Sequence, residues 1–208
     1  RFFQFRPQLG QTGLVTLRQR NGLAVGFDVG PVMDRVVDAD HVVVTNGGMH
    51  GLYIIFRALL EAGDEVILPD PMWTEIAENI RLGGGVPVRV TLEPSQGMAY
   101  TAEAIAKKVT SKTKAIFLNT PHNPTGMVTP ERELRAIADL AIERKLWIVS
   151  DEAYEHVIFD GEKHVSIGSL KGIQWIPGAG NPDAAKWPDV LRRIHAAGKL
   201  CQIWATPH

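Results

Sequence analysis

The chain is predicted to fold as a three-layer α/β/α protein around a mostly parallel sheet. Five short β-rich runs carry that prediction: HVVVT (41–45), EVILP (65–69), VPVRVTL (86–92), KAIFLN (114–119) and LWIVS (146–150). Their starts lie 21 to 32 residues apart, the spacing of a strand plus the crossover helix that a parallel neighbour requires. Helical periodicity between the runs is the second observation. The third is an ordinary globular composition, 45% apolar and 22% charged over 208 residues. That is enough to bury a substantial core, and it disfavours disordered, collagen-like and coiled-coil classes.

Along the chain, the run at 41–45 leads into Asn46-Gly47-Gly48-Met49-His50, a glycine pair opening a helix. Ala58, Leu59 and Ala62 end the apolar stripe of that helix, and Gly63 is placed as its left-handed terminator before the strand at 65. Gly83-Gly84-Gly85 stands between a helix and a strand; no helix follows, so it is a flexible turn rather than a nucleotide loop. Thr129-Pro130 supplies an N-cap and a pre-set first helical φ, with Glu131 and Glu133 favourably placed in the first turn. Leu134, Ile137, Ala138 and Ala141 then form one stripe. From about Lys171 the chain turns Gly- and Pro-rich, followed by a helix from near Pro188 to Gly198 and the apolar run LCQIWA, an additional α/β unit.

Charge and cysteine content exclude several classes. Lys plus Arg number 22 against 23 Asp plus Glu, a net charge of −1, so no basic surplus points to nucleic acid or an anionic membrane. The single cysteine, Cys201, cannot build an intramolecular disulfide framework or a multi-cysteine metal site and fits a cytoplasmic setting. No apolar run reaches the roughly 18 residues of a membrane span, since Arg57 interrupts GLYIIFRALL, and the first residues lack the layout of a signal peptide. A hydrolase built from His50, His122 or His156 with Ser150 or Ser166 lacks a nucleophile elbow. No two histidines have metal-ligand spacing on a helix.

In open α/β sheets, ligands bind beyond the carboxyl ends of the strands, so the residues just after each run carry the chemistry. Gly47, Gly48 and Met49 open a helix where free backbone N–H groups and the helix dipole suit a phosphate. Trp73, in Asp70-Pro71-Met72-Trp73, is by itself better read as a core residue, but at this edge it can stack on a planar ligand. Asn123 precedes a proline in a rigid polar loop and is kept out of a helix, so its amide can face a ligand. Asp151 puts a carboxylate at the end of an apolar strand, where burial is costly without a cation or several donors, and the Tyr154 phenol follows three residues on. A planar ligand with a phosphate, a phenolate-like oxygen and a basic ring nitrogen satisfies all four positions. Pyridoxal 5'-phosphate has those features.

The motifs VVVTNGGMHGL, ALLEAGDEVILPDPMW, NTPHNPTG, SDEAY and HVSIGSL, with DEAY starting 25 residues after the glycine of NPTG, are together specific. On them, residues 41–170 resemble the large domain of fold-type I, class I/II pyridoxal-phosphate-dependent aminotransferases. The resemblance implies amino-group transfer between an amino acid and a 2-oxo acid, in a homodimer. It implies a phosphate cup at Gly47, Gly48 and Met49, where the family often has a hydroxyl or lysine in place of Met49. Trp73 would stack on the pyridine ring, Asn123 and Tyr154 would bond its 3-oxygen, and Asp151 would pair with its protonated nitrogen.

The family also needs a Schiff-base lysine in a serine-rich SxSK context. Lys186 lies 35 residues after Asp151, but its setting, NPDAAKWPD, lacks the serines and the following glycine and arginine, so a surface lysine is the plainer reading. No small C-terminal domain is recognisable. Residues 1–40 match poorly, although GLVTLRQR is similar to the family's segment before the first large-domain strand. Residues 171–208 form a divergent tail resembling a strand-helix-strand piece of uroporphyrinogen-decarboxylase-like barrels. The expectation is a truncated aminotransferase-type protein; the alternative is a non-catalytic cofactor-binding or interaction module, or a fused gene product.

Overall fold

Alternation along two strands dictates the layering. The computed structural model describes residues 16–19, 23–26, 46 and 48–170. The run at 41–45, Gly47, Lys186, Cys201 and the tail from 171 lie outside the described residues. Two strands that were not anticipated, β1 (Thr16–Gln19) and β2 (Leu23–Gly26), pair antiparallel with Thr16 opposite Gly26, in a unit separate from the main sheet.

The main unit runs α1 (Gly48–Leu59), β3 (Glu65–Asp70), α2 (Thr74–Leu82), β4 (Val86–Thr91), α3 (Ala102–Ala106), β5 (Thr113–Asn119), α4 (Glu131–Arg144) and β6 (Trp147–Asp151). Its strands lie in the order β4-β3-β5-β6, and every neighbouring pair is parallel. Side chains of a strand point alternately to its two faces. Val66, Leu68, Ala115 and Phe117 pack with Leu52 and Phe56 of α1 and Ile76 and Ile80 of α2. The intervening Ile67, Ile116 and Leu118 pack with Ile105 of α3 and Leu134, Ile137, Ala138 and Ala141 of α4. Two apolar clusters, one per face, make the predicted α/β/α sandwich. Each large side chain buried there is worth about 1.5–3 kcal/mol.

Strand order has a consequence for ligands. From β3 the chain crosses to β4 on one side, and from β5 to β6 on the other, so the order reverses between β3 and β5. The β3–β5 ladder runs only from Glu65 to Ile67, whereas β3–β4 continues to Asp70. Pro69 therefore sits where the ladder with β5 has already opened, and its missing N–H leaves no bond broken there. Pro87 is tolerated because β4 is at the edge of the described sheet. Crevices at such reversals are the ligand sites of open α/β sheets.

Several local expectations need correction. α1 ends at Leu59; Ala62 is exposed in the following turn, and Gly63, with φ +91°, is the left-handed residue of that turn rather than the helix terminator. The α4 cap is Pro130, not Thr129, whose N–H instead donates to the Thr120 hydroxyl at 2.9 Å. β6 includes Asp151, which pairs with Asn119 on β5 instead of following the strand. Among the described residues, no helix is long and apolar enough to cross a membrane.

The turn at 83–85 is packed rather than flexible. A Cβ on Gly83 would stand 2.8 Å from the Phe56 Cβ, and one on Gly85 would stand 2.7 Å from a Leu60 methyl. These glycines let the α2–β4 turn close on α1. Gly83→Ala should therefore destabilise the chain by about 1–3 kcal/mol through overpacking. Gly63→Ala, which meets nothing within 4 Å but must hold φ +91°, should cost about 1–2 kcal/mol. Urea-unfolding midpoints check both, and an unchanged midpoint for Gly83→Ala would remove the close approach.

Candidate active site

Loops following β3, β5 and β6 place the candidate residues. Trp73 immediately precedes α2 and is 48% exposed, so it is not a core tryptophan. It lines an open cleft of about 270 Å³ with Met72, Thr74, Glu75, Asn123 and Pro124. The cleft therefore joins the loop after β3 to the loop after β5, across the point where strand order reverses.

Hydrogen bonds within the 120–127 loop fix Asn123. The His122 ring Nδ1 is 2.8 Å from the Thr125 hydroxyl, the Gly126 N–H donates to the His122 carbonyl at 2.7 Å, and the His122 N–H donates to the Met127 carbonyl at 2.9 Å. Gly126 closes the turn at φ +74°. From below, buried Asn119 acts as a strut between strands. Its Nδ2 donates to the Asp151 carbonyl at 3.0 Å, and its Oδ1 accepts from the Asn123 N–H at 2.8 Å. The Thr120 N–H donates to that same Asp151 carbonyl at 3.1 Å. The Asn123 amide, held this way, donates to the Tyr154 hydroxyl over a long 3.4 Å.

Asp151 is the electrostatic anomaly. Its Oδ1 accepts from the Ala153 N–H at 3.1 Å, and among the described residues no cation pairs with it. Burial pushes its carboxyl above the usual carboxylate range; the Ala153 bond opposes that, and the neighbouring Glu152 charge adds to it. An acid kept in this state fits a cationic partner that arrives with a ligand.

Gly48 and Met49 are the first residues of α1. The Met49 carbonyl accepts from Asn79 Nδ2 of α2 at 3.2 Å, and the Asn46 N–H donates to His50 Nδ1 at 3.2 Å. No hydrogen bond among the described residues joins this turn to Asn123, Asp151 or Tyr154. Gly47 and Lys186 lie outside the described residues.

Sequence reasoning missed two features. Asn119 was read only as the start of the polar loop. The other is a network around Glu152, whose Oε1 accepts from Ser150 Oγ at 2.7 Å and Ser166 Oγ at 3.1 Å and whose Oε2 lies 2.9 Å from His164 Nε2. Glu152, Glu155 and His164 also bring three potential metal-ligand atoms within 4.8 Å of one another. Glu152 is, however, already saturated by donors, as a satisfied buried carboxylate should be. The signal was present in SDEAY and HVSIGSL, each noticed but not joined to the other.

Known proteins share this arrangement of sequence and fold. The family model for class I and II aminotransferases matches residues 33–185. A probable aspartate/prephenate aminotransferase of Thermus aquaticus is 39% identical over 164 residues, covering 79% of this chain and 39% of that protein. One from Aquifex aeolicus is 46% identical over 129 residues, covering 62% of this chain and 33% of that protein. The solved aspartate aminotransferase of Thermus thermophilus with maleate superposes with a TM-score of 0.62 at 41% identity, over 64% of this chain and 35% of that one. The aromatic aminotransferase of Pyrococcus horikoshii gives 0.59 at 38% identity, over 61% and 34%. This chain thus spans between a third and two fifths of the length of these relatives.

Asp151 generates a prediction that needs no ligand. Because its folded-state pKa is raised, the native chain binds its proton more tightly than the unfolded chain, and stability falls as pH rises through the window above the unfolded value of about 3.9. Asp151→Asn removes that penalty. It should raise the urea midpoint at pH ~7, and the advantage should vanish below pH ~4, where both forms are neutral.

Proposed function

The chain belongs to the class I and II aminotransferases, and from that membership we propose that it binds pyridoxal 5'-phosphate and takes part in amino-group transfer between an amino acid and a 2-oxo acid. The observation that carries this reading is the cleft at the reversal of strand order, walled by Trp73 and Asn123, with the part-buried Asp151, which pairs with no cation among the described residues, on the strand beside it.

Bound pyridoxal phosphate would supply an electron sink for the pair left when the substrate Cα–H bond breaks. Residues of this chain prepare that chemistry. Asp151 would pair with the ring nitrogen and hold the proton on it. Asn123 and Tyr154 would donate to the ring 3-oxygen, their present bond to each other being long enough to yield to a shared acceptor. The Trp73 indole, half exposed, would cover one face of the ring and keep water from it. Backbone N–H groups of Gly48 and Met49 at the start of α1 would receive the phosphate, with no acidic side chain in that first turn to oppose it, joined by Gly47, which lies outside the described residues. Lys186 is the candidate to hold the cofactor covalently and to move the Cα proton. Residues 41–170 form the cofactor-binding portion, and the working protein is a cytoplasmic homodimer. The single cysteine and the balanced charge fit that location.

Mixing the chain with pyridoxal phosphate, reducing with borohydride and mapping the modified lysine tests the assignment. Labelling at Lys186 would support group transfer by this chain. Reversible uptake without a labelled lysine would remove Lys186 and group transfer by this chain, and no uptake would remove the cofactor reading. In equilibrium dialysis, Trp73→Ala should weaken uptake about tenfold, equivalent to roughly 1.4 kcal/mol.

A further inference from the structure

Glu152 lies between the two residues proposed to address the cofactor ring, yet its own side chain turns away into a buried knot. The Glu152 and His164 side chains are 13% and 6% exposed, and Ser166 is buried as well. Ser150 reaches the carboxylate from two residues earlier on β6, and His164 and Ser166 reach it from 12 and 14 residues later. One carboxylate therefore ties the returning segment to the end of β6. The backbone between Asp151 and Tyr154 is left with few choices: the Ala153 N–H bonds the Asp151 carboxylate, the Glu155 N–H bonds the Glu152 carbonyl at 3.0 Å, and the Val157 N–H bonds the Tyr154 carbonyl at 2.8 Å.

We propose that Glu152 is a positioning residue: anchored by His164, Ser150 and Ser166, it holds the turn that presents Asp151 and Tyr154 to the ring of pyridoxal phosphate. The inference rests on the cofactor reading given above. Physical argument favours placement over stability as the role of this knot. Buried ionic and polar groups are often replaceable by apolar residues without loss of stability, whereas a carboxylate met by three directed donors admits one geometry. His164 reinforces this. With its proton on Nε2 it donates to Glu152, and Nδ1, which no described group partners, is left as a bare lone pair. E152Q presents an amide N–H₂ to one of these donors. Turned toward His164, it loses that bond or drives His164 to the tautomer that buries an unpaired Nδ1–H; turned toward Ser150 and Ser166, it makes their hydroxyls accept instead of donate.

The experiment compares wild type, E152Q, D151N and the double variant in binding pyridoxal phosphate, following the NMR signal of its isotope-labelled ring nitrogen. E152Q should weaken binding about tenfold (roughly 1.4 kcal/mol) and shift the ring nitrogen toward its unprotonated signal. D151N/E152Q should bind no worse than D151N, because residues acting through one another are not additive. An E152Q chain that binds with wild-type affinity and signal, or a loss that adds in full to that of D151N, overturns the proposal. Where E152Q does not fold, H164Q, which keeps a donor, should bind like wild type and H164L should not; equal binding overturns it. A wild-type chain that takes up no pyridoxal phosphate overturns the cofactor reading instead. Positioning is then decided on the free chain, where amide exchange at Ala153 should quicken about tenfold in E152Q while Phe117 in β5 is unchanged, and an unaltered Ala153 overturns it.

Discussion

Strands β3 and β5 must bury both of their faces, and the rest of the architecture follows from that requirement. Val66, Leu68, Ala115 and Phe117 need one helical layer, and Ile67, Ile116 and Leu118 need another. Two covered faces leave polar side chains nowhere along the strands, so they collect at the ends: Asn119 closes β5 and Asp151 closes β6. The carboxyl edge of the sheet is where the chain can place hydrogen-bonding chemistry beside an apolar wall.

Within that edge the structure separates satisfied from unsatisfied polar groups. Asn119 spends both ends of its amide on backbone groups, and Glu152 receives three donors; both are structural fittings. Asp151 has one backbone donor and is held above its ordinary pKa by burial. This contrast between adjacent acids, one compensated and one not, marks where a cationic ligand atom has something to gain. It is a local stability penalty in the free chain.

Much of the fold was legible because its signals are local. Short β-rich runs located β3, β5 and β6, the i, i+3, i+4, i+7 stripe located α4, and their spacing matched a parallel sheet with crossover helices. The five-residue α3 was missed because so short a helix shows no periodicity, and its Thr101 cap, which accepts from the Ala104 N–H at 3.2 Å, is one ordinary threonine among many. The triple glycine was misjudged for another reason. A glycine needed for conformational freedom and one needed for close approach are the same letter, and only the 2.8 Å to Phe56 separates them. Trp73 was ambiguous for the same kind of reason, since exposure is a property of neighbours.

By itself the sequence determined the α/β class, the strand runs, and the polar and aromatic residues that follow them, because each depends on side chains a few positions apart. Only tertiary structure decided that β3 and β5 are neighbours at a reversal of strand order, that their loops share one cleft, and that Glu152 closes on His164 and Ser166. Those are contacts between residues 12 to 50 positions apart. Their geometry is set by how the two helical layers close on the sheet, and no local pattern in the chain encodes it.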